Sequence, residues 1–411
     1  MSSEPSLRLR SVIATTFVWK LGDGLIATGL GYIALVATGS SFWVGVQYAV
    51  SLATAALGAA FLGRWMDRQN LITIVRAGVA LCLLGVAIMA VSPEATDATI
   101  LFLLAATGLV SVSFVLMSVA LSAAVAAAVP PDRLLLGTTQ ARSAQLAARA
   151  LGGLVLSVLL YATRTPVILL LVAALTLILW LACERVLGAS RQVIPPSDDN
   201  ESALKVFVRA VRDCRPQRLV LAMLLCYGIF VSPFVALLPV LAQTLTGNSK
   251  NVGWLSAVYF AGGTVSILSG YVSTRINIPL AARTFLACGL SGLWLLAMVV
   301  SLSTTSGTLL VVLGGAFTFL FGHASTMLLS VFNVAAQEFS PGYQRRRILS
   351  ALILLGATVG TAAVLLAGWW SEVQSLAAVL LTCAIALIAF ALIQLRWRRA
   401  SNIAPDPALL H

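Results

Sequence analysis

Long stretches of apolar residues, nearly free of charge, recur along the whole sequence, and no other feature constrains folding so strongly. Twelve can be counted, near 11–37, 42–63, 71–92, 98–129, 139–162, 166–185, 218–243, 252–272, 281–302, 307–337, 347–369 and 375–395. A bilayer core needs roughly 20 apolar residues of helix to cross it. Within it, a helix satisfies all its own backbone hydrogen bonds. The pattern therefore predicts an all-α membrane protein of twelve transmembrane helices. Composition agrees: the 411 residues are 60% hydrophobic and 10% charged, against about 25% charged in a soluble domain. A soluble core could not hide so much apolar surface, which excludes a soluble enzyme, a nucleic-acid-binding domain, a disordered chain and a disulfide scaffold. The cysteines, Cys82, Cys183, Cys214, Cys226, Cys288 and Cys383, form no CxxC and read as small core hydrophobes. No metal cluster and no cofactor motif is expected.

The gaps carry turn chemistry or charge, among them Gly39-Ser40-Ser41, Pro130-Pro131-Asp132-Arg133, Gly247 to Asn251 and Ser340-Pro341-Gly342. The opening stretch shows no cleavage site at signal-peptide distance and reads as a span that stays. With the N-terminus inside and the spans alternating, the outer loops hold only Arg164 and Lys250 of the 26 Lys and Arg. That distribution satisfies the positive-inside rule with both termini cytoplasmic, and it explains the net charge of +12 without nucleic acid. Residues 186–217 are polar. Leu204, Phe207, Val208 and Val211 there oppose Lys205, Arg209 and Arg212 at helical spacing, reading as an interfacial helix or a solvated linker helix. An internal repeat is visible too. Gly63 to Arg68 and Gly270 to Arg275 both end in Arg and lie about 207 residues apart. The chain divides into an N-terminal half (1–185), a cytoplasmic linker (186–217) and a C-terminal half (218–411), a known transporter plan.

These features resemble a major facilitator superfamily transporter along nearly the whole chain. Gly63, Asp67 and Arg68 match the family's G-x-x-x-D-R signature between spans 2 and 3, with Arg76 early in span 3. Trp19 to Asp23, Leu35 to Ser40, Gln337-Glu338, Pro341 and Arg345 to Arg347 resemble the branch of drug and siderophore exporters that includes macrolide and enterobactin efflux proteins. Where antiporters often carry Gly-Pro in span 5, this chain has Gly152-Gly153, and the span 4 arginine of many proton antiporters is absent. The resemblance implies a gate in which Gly63, Asp67 and Arg68, with Arg275 of the second copy, close the cytoplasmic side against the start of span 11, where Arg347 is available to Asp67; the alternative for the loop is a plain tight turn.

A charge near the bilayer centre costs about 2.5–3.5 kcal/mol on insertion scales, so each is a functional candidate. Asp23 is the only acid deep in a span, and Lys20 lies three residues earlier on the same face. The pair is either the proton-coupling site or a static ion pair. In span 5, Arg142, Gln145 and Arg149 share one face. They form an anion-attracting wall or a structural pairing, for example of Arg149 with Asp23. His323, mid-span 10, is a titratable coupling candidate or a hydrogen-bonded core residue. Gln47 and Tyr48 in span 2, Ser111 and Ser113 in span 4, Tyr227 and Ser232 in span 7, Tyr259 in span 8 and Asn333 in span 10 are polar positions. They serve helix packing or substrate contact.

The sequence therefore predicts a monomeric secondary transporter of a bacterial inner membrane, not an enzyme. It would exchange protons for a small amphipathic, anionic molecule such as a drug, siderophore or secondary metabolite, moving it outward. An importer or lysophospholipid flippase of the same fold is the alternative within transport. A non-transporting scaffold or sensor is the alternative outside it.

Overall fold

The computed structural model describes residues 4–66, 69–91, 97–128, 134–162, 165–187, 207–209, 211–212, 215–275, 280–338 and 345–400. All of it is helical or tightly turned, and no bond is cis among these residues. Spans 1 to 6 are Glu4–Thr38, Ser41–Met66, Leu71–Ala90, Asp97–Ala128, Leu134–Ala162 and Thr165–Leu187. Spans 8 to 12 are Val252–Arg275, Leu280–Thr304, Gly307–Glu338, Arg345–Val373 and Leu376–Ala400. At about 1.5 Å per residue, the shortest of these is long enough to cross a hydrocarbon core. Among the described residues, ten helices meet the length and apolarity needed to cross a membrane. Many carry exposed large apolar side chains, such as Phe61, Leu101 and Val158. Helices apolar all round belong in lipid.

Span 7 departs from a plain helix. It runs as Arg215–Cys226, a π-turn at Tyr227–Val231, Ser232–Ala236 and Leu238–Thr246. Pro233 and Pro239 explain the breaks, since each lacks an N–H and pushes on the preceding turn. The sequence marks the breaks with Pro233 and Pro239 but does not mark the π-turn itself.

The helix pairings of spans 1–6 recur among spans 7–12. Span 3 lies on spans 4 and 6 as span 9 lies on spans 10 and 12, and span 2 lies on span 4 as span 8 lies on span 10. The turns repeat as well. Gly39 ends span 1 and Gly247 ends span 7, with φ of 67° and 68°. Their N–H groups bond to Leu35 and Gln243 carbonyls at 2.7 and 2.8 Å. This left-handed helix end suits glycine.

The two sets of six meet where span 2 runs along span 11 and span 5 along span 8. The meeting is tight at the end away from the chain termini, called here the far side. A Cβ on Gly45 would lie 3.0 Å from the Val364 carbonyl and 3.1 Å from Gly368 Cα. A Cβ on Gly153 would lie 2.7 Å from the Gly253 carbonyl. Only glycine permits backbones this close. Thr28 of span 1 and Ser256 of span 8 bond at 3.0 Å across the same seam, so the far side is closed.

In the linker, residues 207–209 and 211–212 are helical. Phe207 is buried with Val220, Met223, Phe332 and Ile348 of spans 7, 10 and 11, while Val208, Arg209 and Arg212 are exposed. Arg218 donates to the Val211 and Arg212 carbonyls at 3.0 and 2.6 Å. The helix is thus docked on the second set of spans by one aromatic side chain.

Candidate substrate and coupling site

Asp23 sits at the crossing of spans 1 and 5. A Cβ on Gly24 would lie 2.8 Å from the Arg149 carbonyl, and one on Gly152 would lie 2.5 Å from that of Leu21. The two glycines let the backbones touch, and that contact sets Arg149 beside Asp23. The carboxylate is 1% exposed. Its Oδ2 accepts from Lys20 Nζ at 2.8 Å, from Arg149 Nη2 at 2.5 Å and from Arg149 Nε at 2.9 Å. A buried carboxylate needs such partners, because an unpaired one would carry its full desolvation cost. Two cations on one anion leave a formal charge of about +1 on the triad. Lys20 also lies over the Phe114 ring, 5.9 Å from its centre.

Arg149 is not enclosed by this pairing. A third of its side chain is exposed, and its guanidinium lies 5.4 Å from the Phe260 ring centre, across the seam in span 8. Two turns earlier, Arg142 is exposed and donates to Gln145 Oε1 at 3.3 Å. Among the described residues no carboxylate is paired with Arg142. Three tyrosines approach these arginines from other spans. Tyr48 lies within electrostatic reach of Arg149, Asp23 and Tyr227. Tyr227, first residue of the π-turn, lies within reach of both arginines. Tyr259 pairs with Ser325 at 3.1 Å and packs against Phe260 and Phe234. The result is a positively charged centre on span 5 faced by phenol groups and an aromatic wall.

Other candidates are placed elsewhere. Gln47 is buried and donates to Thr107 of span 4 at 3.4 Å, beside the Ser51–Ser111 pair at 2.7 Å. It therefore ties two helices of one half together. Ser113 donates to the Gly78 carbonyl at 2.7 Å. Asn333 is exposed and donates to the Leu329 carbonyl of its own helix at 2.9 Å. His323 bonds to the backbone of Gly262, where spans 8 and 10 cross, and is not joined to the Asp23 triad. Asp67 and Arg68 lie outside the described residues. Of Gly63, Arg275 and Arg347 the helical backbone alone is described.

Two residues that the sequence did not single out belong to this picture. Phe260 supplies the ring over Arg149, and its position next to Tyr259 was the available signal. Glu372 falls in the gap between the apolar stretches 347–369 and 375–395, yet it stands in the last turn of span 11 and reaches across to span 2.

Nearly the whole chain is superposable on solved transporters. A peptide transporter, POT, crystallised with sulfate, matches with a TM-score of 0.73 at 13% identity, covering 96% of this chain and 94% of that one. A bacterial homologue of the iron transporter ferroportin matches at 0.70 in its inward-facing state, with 15% identity over 95% of this chain and 98% of that one. Its outward-facing state matches at 0.63, with 17% identity over 95% and 99%. The nucleoside transporter NupG matches at 0.70, with 13% identity over 95% and 99%. At these identities the likeness concerns the fold. No protein of curated function matches the sequence. The sequence itself matches the Major Facilitator Superfamily over residues 12–352. With that match, and with twelve helical passages in two repeated sets around a charged centre, the chain belongs to the major facilitator superfamily of secondary transporters.

Proposed function

We propose that this transporter carries a small amphipathic anion and couples its movement to protons through Asp23. The observation that carries the reading is the position of Arg149, bonded to a buried carboxylate on one side while a third of its side chain stays exposed. Arg142, Arg149, Gln145 and the phenols of Tyr48, Tyr227 and Tyr259 would hold the anion. Lys20 would keep Asp23 in place. The positive-inside distribution supports both termini being cytoplasmic, a bacterial inner membrane is the proposed location, and a monomer with halves 1–185 and 218–411 suffices for the site. Gly63, Asp67, Arg68, Arg275 and Arg347 would close the cytoplasmic side, as the signature implies. His323 keeps a lesser claim, since its bond to Gly262 suits a core role.

The sign of the coupling follows from competition. An anion at Arg149 competes with the Asp23 carboxylate for one guanidinium. A proton on Asp23 removes that competitor, so proton and anion favour each other's binding, and by linkage the effect is reciprocal. Species that bind together are carried together, which supports proton–anion symport. Export is the second reading, supported by the resemblance of Trp19 to Asp23 and of Arg345 to Arg347 to drug and siderophore exporters. Flux in proteoliposomes under an imposed pH gradient separates the two. Symport requires an anionic probe to accumulate on the alkaline side, with protons moving the same way; exchange requires the probe to accumulate on the acidic side. No flux of any probe under either gradient would overturn transport itself.

A further inference from the structure

The far-side rim holds a carboxylate that the coupling site does not use. Glu372 stands near the end of span 11. Its Oε2 accepts from the Ser41 N–H at 2.8 Å, Ser41 Oγ at 2.9 Å, Ser40 Oγ at 3.1 Å and the Phe42 N–H at 3.4 Å. These donors open span 2, where the first N–H groups have no acceptor in their own helix and the positive end of its dipole emerges. A residue of the second set of spans thus caps a helix of the first. One turn away, Gly45 and Gly368 bring the same two helices into backbone contact, and Ser41 Oγ also reaches the Gly368 carbonyl at 3.3 Å. Cap and glycine contact both require spans 2 and 11 to meet, so both belong to the closed far side.

We propose that Glu372 is a second proton-binding site, on the rim, that latches the far side when ionised and releases it when protonated. An ionised carboxylate accepts from all four donors. The neutral acid carries a proton on one oxygen and accepts weakly. When the helices part, water replaces the donors, so a proton binds the open form better than the closed form. It therefore shifts the population toward opening. Glu372 is exposed, so protons reach it from solution. The groups acting on it are Ser40, Ser41 and Phe42, with no charged side chain of either helix or of the adjoining loop among the described residues. The corresponding contact on the other flank joins Tyr161 of span 5 to Asn251 and Asn248 at 3.1 and 3.2 Å, with Lys250 over the tyrosine ring. It contains no carboxylate and no histidine, so one latch of the two answers to acid. This inference rests on the closed far side and not on the anion reading.

Spin labels at Val36→Cys and Leu309→Cys, exposed positions at the far-side ends of spans 1 and 10, read the separation in the full chain in vesicles without substrate. Acidifying from about pH 8 to about pH 3, through the ordinary Glu value of about 4.3 and below it, because the Ser41, Ser40 and Phe42 donors hold the Glu372 carboxyl under that value, should raise the long-distance population. Glu372→Gln should raise it about 2- to 5-fold already at the alkaline end, the size of a charge at a helix terminus, and remove the acid response. Ser41→Ala, which keeps the carboxylate and loses one donor, should shift it the same way by less. Asp23→Asn should keep the acid response. A wild-type distribution unchanged by acid, a Glu372→Gln distribution like wild type, or an acid response lost in Asp23→Asn would each overturn the latch.

Discussion

Arg149 meets Asp23 through a single oxygen, Oδ2, which it approaches with both Nε and Nη2 and which Lys20 shares, while Oδ1 is buried without a hydrogen-bond partner. One oxygen thus holds all three bonds. A proton arriving at the carboxylate has Oδ1 to take without first displacing a cation.

Asp23→Asn keeps the shape and removes the charge. Transport of an anionic probe should lose its dependence on the proton gradient, while binding of the probe persists or strengthens because Arg149 is released. Unchanged pH dependence in proteoliposome flux would show that protons couple elsewhere.

Arg142→Gln should weaken an anionic probe by about tenfold or more, equivalent to about 1.4 kcal/mol, and a neutral analogue of the same size far less. Arg149→Ala should weaken the anion too, but it also takes away one of two cations from a buried carboxylate. Breaking such a pair is costly, commonly about 3–5 kcal/mol, so its melting temperature should fall where that of Arg142→Gln does not. Calorimetric titration and thermal unfolding on the same samples separate the roles.

The glycine contacts give two different outcomes. Gly24→Val strikes the Arg149 backbone within one half and should destabilise the protein, overpacking costing about 1–3 kcal/mol. Gly153→Val strikes the Gly253 backbone across the seam. The halves can part to relieve it, so the far side should open with little loss of melting temperature. Distance measurements across that side read the difference.

Arg76 pairs with Glu184 at 2.7 Å between spans 3 and 6, but its side chain is 58% exposed. Exposed pairs contribute about 0–1 kcal/mol. Arg76→Ala should leave the unfolding temperature nearly unchanged.

The twelve passages were legible because a bilayer imposes length and apolarity on each one. Asp23 was legible for the same reason, as a charge where charge is expensive. The i, i+3 spacing placed Lys20 beside it, and Arg149 was nameable as its partner in one of two readings of span 5. Which way a helix turns was not legible. An apolar helix in lipid lacks the polar face that orients a soluble one, so Gln47 and Asn333 could be placed on spans but not on faces. His323 bonds to a backbone carbonyl, which no side-chain pattern reveals. Gly152-Gly153 read as a departure from a family motif, and its use became clear only once the neighbours on either side were known.

Those two glycines stand next to each other and face different bodies. Gly152 presses on span 1, in its own half, and Gly153 presses on span 8, in the other. A rotation that separates the halves slides span 5 off Gly253 while Gly24 stays against Gly152. If the halves move as units, Asp23, Lys20 and Arg149 ride together on spans 1 and 5, and the motion itself does not pull them apart. On the proposed function, what loosens the triad comes from solution, as a proton on the carboxylate or an anion at the guanidinium.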